Sequence, residues 1–192
     1  SFNTFDGRVS RRLNGADLVH TKLKAIENLT RAGARMTLLN VMVGRDSKNA
    51  ISGMLDLMRR NDNILGLTIQ TMTYTGLGGG TYTRTRHVPV DKAAAVVSEQ
   101  SAGMLKPDDF VTKPSAHPLC YLICYMFKNG DELIPLTRFA PRDKIQRLIR
   151  DSYLIRPGSE EFFTDVINQL YAWGRTKHLG LFRQMAERLY PA

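Results

Sequence analysis

Cysteine is scarce in this chain. The two present, Cys120 and Cys124, are too few for a disulfide framework and point to a reducing, cytoplasmic setting. Long apolar runs are missing as well, and nothing approaches the roughly 18 uninterrupted residues of a membrane span. Neither a signal peptide nor an initiator Met opens the sequence; SFNTF already reads as strand, so a piece of a longer protein is expected. There is no GxGxxG or GxxxxGK[ST] loop, no GxSxG, no HExxH and no recognisable carboxylate pair. These absences argue against Rossmann, P-loop, hydrolase-elbow and zincin readings.

Acidic residues are outnumbered, 18 against 27 Lys and Arg, which leaves a formal charge of +9. Such a balance favours an anionic partner. The cations form no polybasic block, however; the densest groups are Arg8–Arg11–Arg12, Arg84–Arg86 and Arg142–Lys144–Arg147–Arg150. With 192 residues, 43% of them hydrophobic, the chain can bury a core of one domain or slightly more.

The stretch LGLTIQTMTYTGLGGG, from Leu65 to Gly80, organises the rest. It opens as a strand with Leu67, Ile69 and Thr71 on one face and Thr68, Gln70 and Met72 on the other, then ends in a glycine-rich loop. Glycine lacks Cβ, so such a loop lets backbone N–H groups approach a ligand, although a plain flexible connector would read the same way.

Before it, residues 1–6 end a strand, and a helix carries Leu18, Val19, Leu23, Ile26 and Leu29 up to Gly33. Met36 to Val43 reads as a buried strand interrupted by Asn40, and a further helix shows the stripe Ile51, Met54, Leu55, Met58. Short connections between alternating strands and helices predict right-handed βαβ units and a parallel sheet. Beyond Gly80 the expectation is a short helix capped by Asp91, then a Pro-rich stretch. There Cys120 and Cys124 would share a face if the segment is helical, and an irregular run covers Leu133 to Pro141. The tail predicts one amphipathic helix through Phe162, Phe163, Val166, Ile167, Leu170 and Trp173 and another through Leu181, Met185 and Leu189.

Polar side chains fall at the three strand ends: Thr4 and Asp6, then Asn40, then Gln70 and Thr73. In a barrel of such units they would point into one hollow, with Asp6 suited to a ribose diol and Asn40 or Gln70 to an adenine edge or amino-acid headgroup. Equally, Asp6 can serve an Asp-Gly turn and Asn40 a buried backbone group. Cys120, after His117-Pro118-Leu119, is a candidate metal ligand, while Cys124 in its apolar run reads as core.

The order of several short motifs carries a resemblance. Thr4-Phe5-Asp6-Gly7, Leu13 to Leu18, Lys24 to Leu29, Ala32-Gly33 and Asn40-Val41 up to Gly44 are followed by Gln70 with Tyr74-Thr75-Gly76. After these come Glu99-Gln100, Asp109-Phe110 and His117-Pro118-Leu119-Cys120. Over roughly residues 1–127 this resembles the second half of a radical S-adenosylmethionine (SAM) barrel, in the branch of tetraether-lipid synthases and dihydropterin dimethyltransferases.

The resemblance implies an α/β fold, a partial parallel β/α barrel over 1–80, an auxiliary cluster-like region over 81–140 and a helical tail over 141–192. It implies an enzyme that binds SAM and a [4Fe-4S] cluster, forms a 5′-deoxyadenosyl radical and abstracts hydrogen from an unactivated carbon of a lipid or pterin, served by a reductant protein. On that analogy Thr4, Asp6, Asn40, Gln70, Tyr74, Thr75 and Gly76 contact SAM, and Cys120 ligates an auxiliary cluster.

Two departures matter. No three-Cys motif for the radical-generating cluster is present, so this chain alone is expected to be inactive. Ser115 stands where relatives often carry Cys, and Gly44-Arg45-Asp46-Ser47 replaces Gly-x-Asn-Asp. The alternatives are a non-catalytic basic α/β module that binds RNA or another polyanion, and an interaction domain whose tail helices pair with a partner.

Overall fold

The computed structural model describes residues 1–44, 50–73, 87–117, 119–151, 153, 160–172 and 179–189. The chain divides into two units, Ser1–Leu105 and Lys106–Ala192. Each mixes helices with short sheets, parallel in the first and antiparallel in the second, and no barrel is closed among the described residues.

In the first unit, residues 1–6 are not a strand. The Phe2 N–H donates to the Leu39 carbonyl at 2.7 Å, so the segment lies beside its neighbour without a ladder of its own. The expected Asp6-Gly7 turn is instead the start of helix α1, Gly7–Asn14, with Asp6 as N-cap. Its carboxylate accepts the N–H of Arg8 at 2.7 Å and of Val9 at 3.3 Å. A Cβ at Gly7 would lie 2.1 Å from the Asp17 carboxylate, so a larger residue there would push that side chain aside. Buried Ser10 then fastens the turn: its hydroxyl donates to the Ala16 carbonyl and accepts the Leu18 N–H, both at 3.0 Å.

Helix α2, Val19–Arg31, leads to β1, Met36–Met42, and helix α3, Ile51–Arg60, leads to β2, Ile64–Thr71. The two strands pair in parallel from Met36↔Ile64 to Met42↔Thr71, as βαβ alternation requires. Burial along β1 alternates, with Leu38, Asn40 and Met42 buried and Thr37 exposed, where cover on both sides was expected. Ile51, Met54, Leu55 and Met58 are all buried, so the predicted stripe of α3 faces the core. Helix α4, Val90–Gln100, packs on α3 and β2 through Ala93, Ala94, Val96 and Val97. Pro89 is its N-cap, and Asp91 lies in its first turn.

In the second unit, β3 (Val111–Thr112) pairs with β4 (Leu122–Ile123), and β5 (Met126–Asn129) with β6 (Glu132–Pro135). Cys120 therefore lies in a turn and Cys124 just after β4, and the helical face they were expected to share does not form. The supposedly irregular run begins as a hairpin strand. Gly130-Asp131 is its two-residue loop, in which Gly130 takes φ 57°, a value glycine adopts without steric cost.

Helices α5 (Arg142–Leu148), α6 (Glu160–Ala172) and α7 (Leu179–Leu189) follow. Phe139, Ile145, Ile149, Val166, Leu170 and Phe182 form the core with Val111 and Leu136. Trp173 lies outside the described residues. Met54 has no exposed surface, so Met54→Ala is expected to cost roughly 2–5 kcal/mol in urea unfolding. A cost near zero would contradict the packing of α3.

Candidate functional site

Asn40 is the most deeply buried of the described polar residues of the first unit. Fully buried on β1, it donates through Nδ2 to the carbonyls of Phe2 at 3.4 Å and Asn3 at 3.1 Å. The Asn3 side chain returns the contact by accepting the Val41 N–H at 3.0 Å. Asn40 Oδ1, by contrast, is buried and has no hydrogen-bond partner among the described residues. A buried acceptor without a donor costs about 1–3 kcal/mol, which marks Oδ1 as an energetic liability of the first unit.

The expected neighbours are placed unevenly. Thr4 is buried and its hydroxyl accepts the Asp6 N–H at 3.1 Å, which spends it on local backbone. The Asp6 carboxylate is exposed and occupied with capping α1. The N–H groups of Arg8 and then Val9 hold its pKa below the ordinary 3.8.

Gln70 is exposed, and the register sets it opposite Val41, whereas Asn40 lies opposite Ile69. Paired residues share a face and successive ones alternate, so Asn40 and Gln70 project to opposite sides of the sheet. The common hollow expected for them does not form between these two side chains. Tyr74, Thr75 and Gly76 lie outside the described residues. The ends of their loop are tied by His87, whose Nδ1 is 3.3 Å from the Met72 carbonyl. Gln100 reaches back to α3, its Oε1 accepting the Ser52 N–H at 3.3 Å.

In the second unit Cys120 is an exposed free thiol at the end of a turn in which its N–H donates to the His117 carbonyl at 2.9 Å. Cys124 is half-buried, and desolvation pushes its thiol up to about 12. Among the described residues no group of three or more His, Cys, Asp and Glu side chains could hold a metal ion, so these residues do not fit a [4Fe-4S] cluster.

Two buried charges that periodicity did not single out dominate this unit. Asp109 caps its own turn through the Lys106 N–H at 2.7 Å and binds the Arg138 guanidinium with both oxygens, while Thr137 donates to it. Burial by itself raises the Asp109 carboxyl; the donors from Arg138, Thr137 and Lys106 outweigh it and hold the pKa below 3.8. Lys113, only 3% exposed, donates to Ser115 Oγ at 2.6 Å and to the carbonyls of Ile149 at 2.9 Å and Arg150 at 3.0 Å. Its ammonium also lies 4.6 Å from the centre of the Tyr153 ring. Local sequence gives little signal for either pattern, since Thr137, Arg138, Ile149 and Arg150 lie 28 to 37 residues from the charge they meet.

Because the Asp109 pKa is depressed on folding, its stabilisation is present above the unfolded value and is lost as pH falls through the folded one. Asp109→Asn is expected to lower stability at neutral pH by on the order of 2–3 kcal/mol and to flatten the acid limb below about pH 4. An unchanged acid limb in urea unfolding would contradict this assignment. Thiol titration of the native chain is expected to modify Cys120 rapidly and Cys124 slowly; equal rates would overturn the burial of Cys124.

No protein-family model matches the chain. It is similar to a 7,8-dihydro-6-hydroxymethylpterin dimethyltransferase from Methanocaldococcus jannaschii, 23% identical over 160 residues that cover 71% of this chain and 32% of that protein. The chain thus spans about a third of the length of this relative, and the relationship is a distant one.

Proposed function

We propose that this chain is the SAM-facing portion of a radical SAM protein, acting on a carbon skeleton of the lipid or pterin class. The observation that carries the reading is the similarity to the pterin dimethyltransferase over 71% of the chain. The buried, undonated Oδ1 of Asn40 supports it. SAM offers hydrogen-bond donors in its adenine amino group, ribose hydroxyls and α-ammonium, any of which satisfies such an acceptor.

In this reading Asn40 holds the strand to residues 2 and 3 through Nδ2 and a SAM donor through Oδ1. Thr4 and Asp6 shape the backbone beside it, and Gln70 with Tyr74–Gly76 forms a separate contact beyond β2. The radical-generating [4Fe-4S] cluster would supply the electron for SAM cleavage, and its ligands would lie outside this chain. The role left to these residues is binding and orientation.

The test is SAM binding to the full chain by calorimetry. Saturable binding is expected, with a loss of roughly fivefold or more in Asn40→Leu, one hydrogen bond's worth. Circular dichroism of the variant checks that it folds. No binding, or binding indifferent to the substitution in a folded variant, would contradict the assignment.

The +9 charge favours a second reading, a polyanion-binding module. It predicts affinity for a short RNA that falls steeply with salt, whereas SAM binding has no such dependence.

A further inference from the structure

Arg147 and Arg150 lie on one side of α5 and the turn that follows it. Together with Asp143, Gln146 and Pro114 they line a surface groove of about 270 Å³. Three of its walls are fixed. Gln146 Nε2 donates to the Thr112 hydroxyl at 2.8 Å and to the Thr112 carbonyl at 3.2 Å. Arg147 is held by the Asp143 carboxylate at 2.9 Å. Pro114 has a fixed φ and follows Lys113, which is anchored at three acceptors.

Arg150, in contrast, is exposed, and its guanidinium has no carboxylate partner among the described residues. Lys113 adds a second uncompensated charge at the same wall. Its ammonium is almost fully buried, one residue from Pro114 and bonded to the Arg150 carbonyl, and every group it meets is neutral: a hydroxyl, two carbonyls and an aromatic ring. A buried cation without a counter-charge is screened little by solvent, so its field adds to that of the Arg150 guanidinium.

We infer that this groove binds the phosphate group of a small phosphomonoester, with Arg150 as the principal contact and Arg147 as an oriented second one. Guanidinium forks match phosphate oxygens in pairs, and Arg147 is already oriented by Asp143. The hydroxyl of Ser115, which follows Pro114, accepts from Lys113 and so keeps its own proton to donate nearby. The size of the groove lies at the small end of ligand sites and suits a molecule of a few heavy atoms beyond the phosphate. The Asp143 carboxylate in the lining opposes an extended polyanion and offers an acceptor to a hydroxyl of a compact one.

The experiment is titration of the full chain with glycerol phosphate and, separately, with a ten-nucleotide oligouridylate, followed by phosphorus NMR or calorimetry. Arg150→Gln is exposed and leaves the core untouched; Arg183→Gln, on α7 and paired with Glu187, controls for net charge. Expected are saturable glycerol phosphate binding in the millimolar range, a loss of roughly tenfold in Arg150→Gln, and little change in Arg183→Gln. The inference is overturned by absence of saturation or by equal losses in both variants, which would mark diffuse charge. Tighter oligouridylate binding that Arg150→Gln also abolishes would overturn it in favour of a nucleic-acid surface.

Discussion

The amide of Asn40 does two things at once in the first unit, and the arrangement around it follows from that. Its Nδ2 bridges the carbonyls of Phe2 and Asn3, so the opening residues stay beside β1 although they form no regular ladder with it. With Phe2 buried at that edge and β2 paired on the other, β1 is held on both sides. The cost is an acceptor, Oδ1, that nothing in the described chain satisfies. Folded proteins seldom leave such an atom orphaned, so its presence calls for an explanation.

The second unit rests on a different principle. Its strands are only two to four residues long, and its core relies on Phe139, Ile149, Val166, Leu170 and Phe182 from separate helices and turns. Two buried charges fasten these pieces: Asp109 draws in Arg138, and Lys113 holds the turn after α5 by donating to the carbonyls of Ile149 and Arg150. A cation at a helix C-terminus meets the negative end of the dipole, which helps explain why a lysine is tolerated there without a carboxylate.

The sequence made some of this legible and hid the rest for identifiable reasons. The stripe Ile51, Met54, Leu55, Met58 and the apolar run of β1 expose their periods directly, so the βαβ unit follows from pattern. Helix α1 is hidden because Gly7-Arg8-Val9-Ser10-Arg11-Arg12 has no apolar stripe; it depends on the Asp6 cap and on Ser10. The segment around Cys120 and Cys124 is too short for its apolar residues to separate helix from strand, and the hairpin turn at Gly130-Asp131 stands as a single glycine between polar residues. Which face each strand residue takes depends on register, a tertiary property, and that is why Asn40 and Gln70 looked like partners until the pairing set them on opposite sides.

The account therefore turns on whether the spare acceptor of Asn40 meets a SAM donor. The most direct measurement is the side-chain amide signal of Asn40 in nitrogen-15 NMR, followed as SAM is added to the folded chain. The account predicts two protected, slowly exchanging Nδ2 protons that shift in step with saturation, while the signals of Asn129, in the other unit, stay in place. Saturation by SAM with the Asn40 signals unmoved would contradict it.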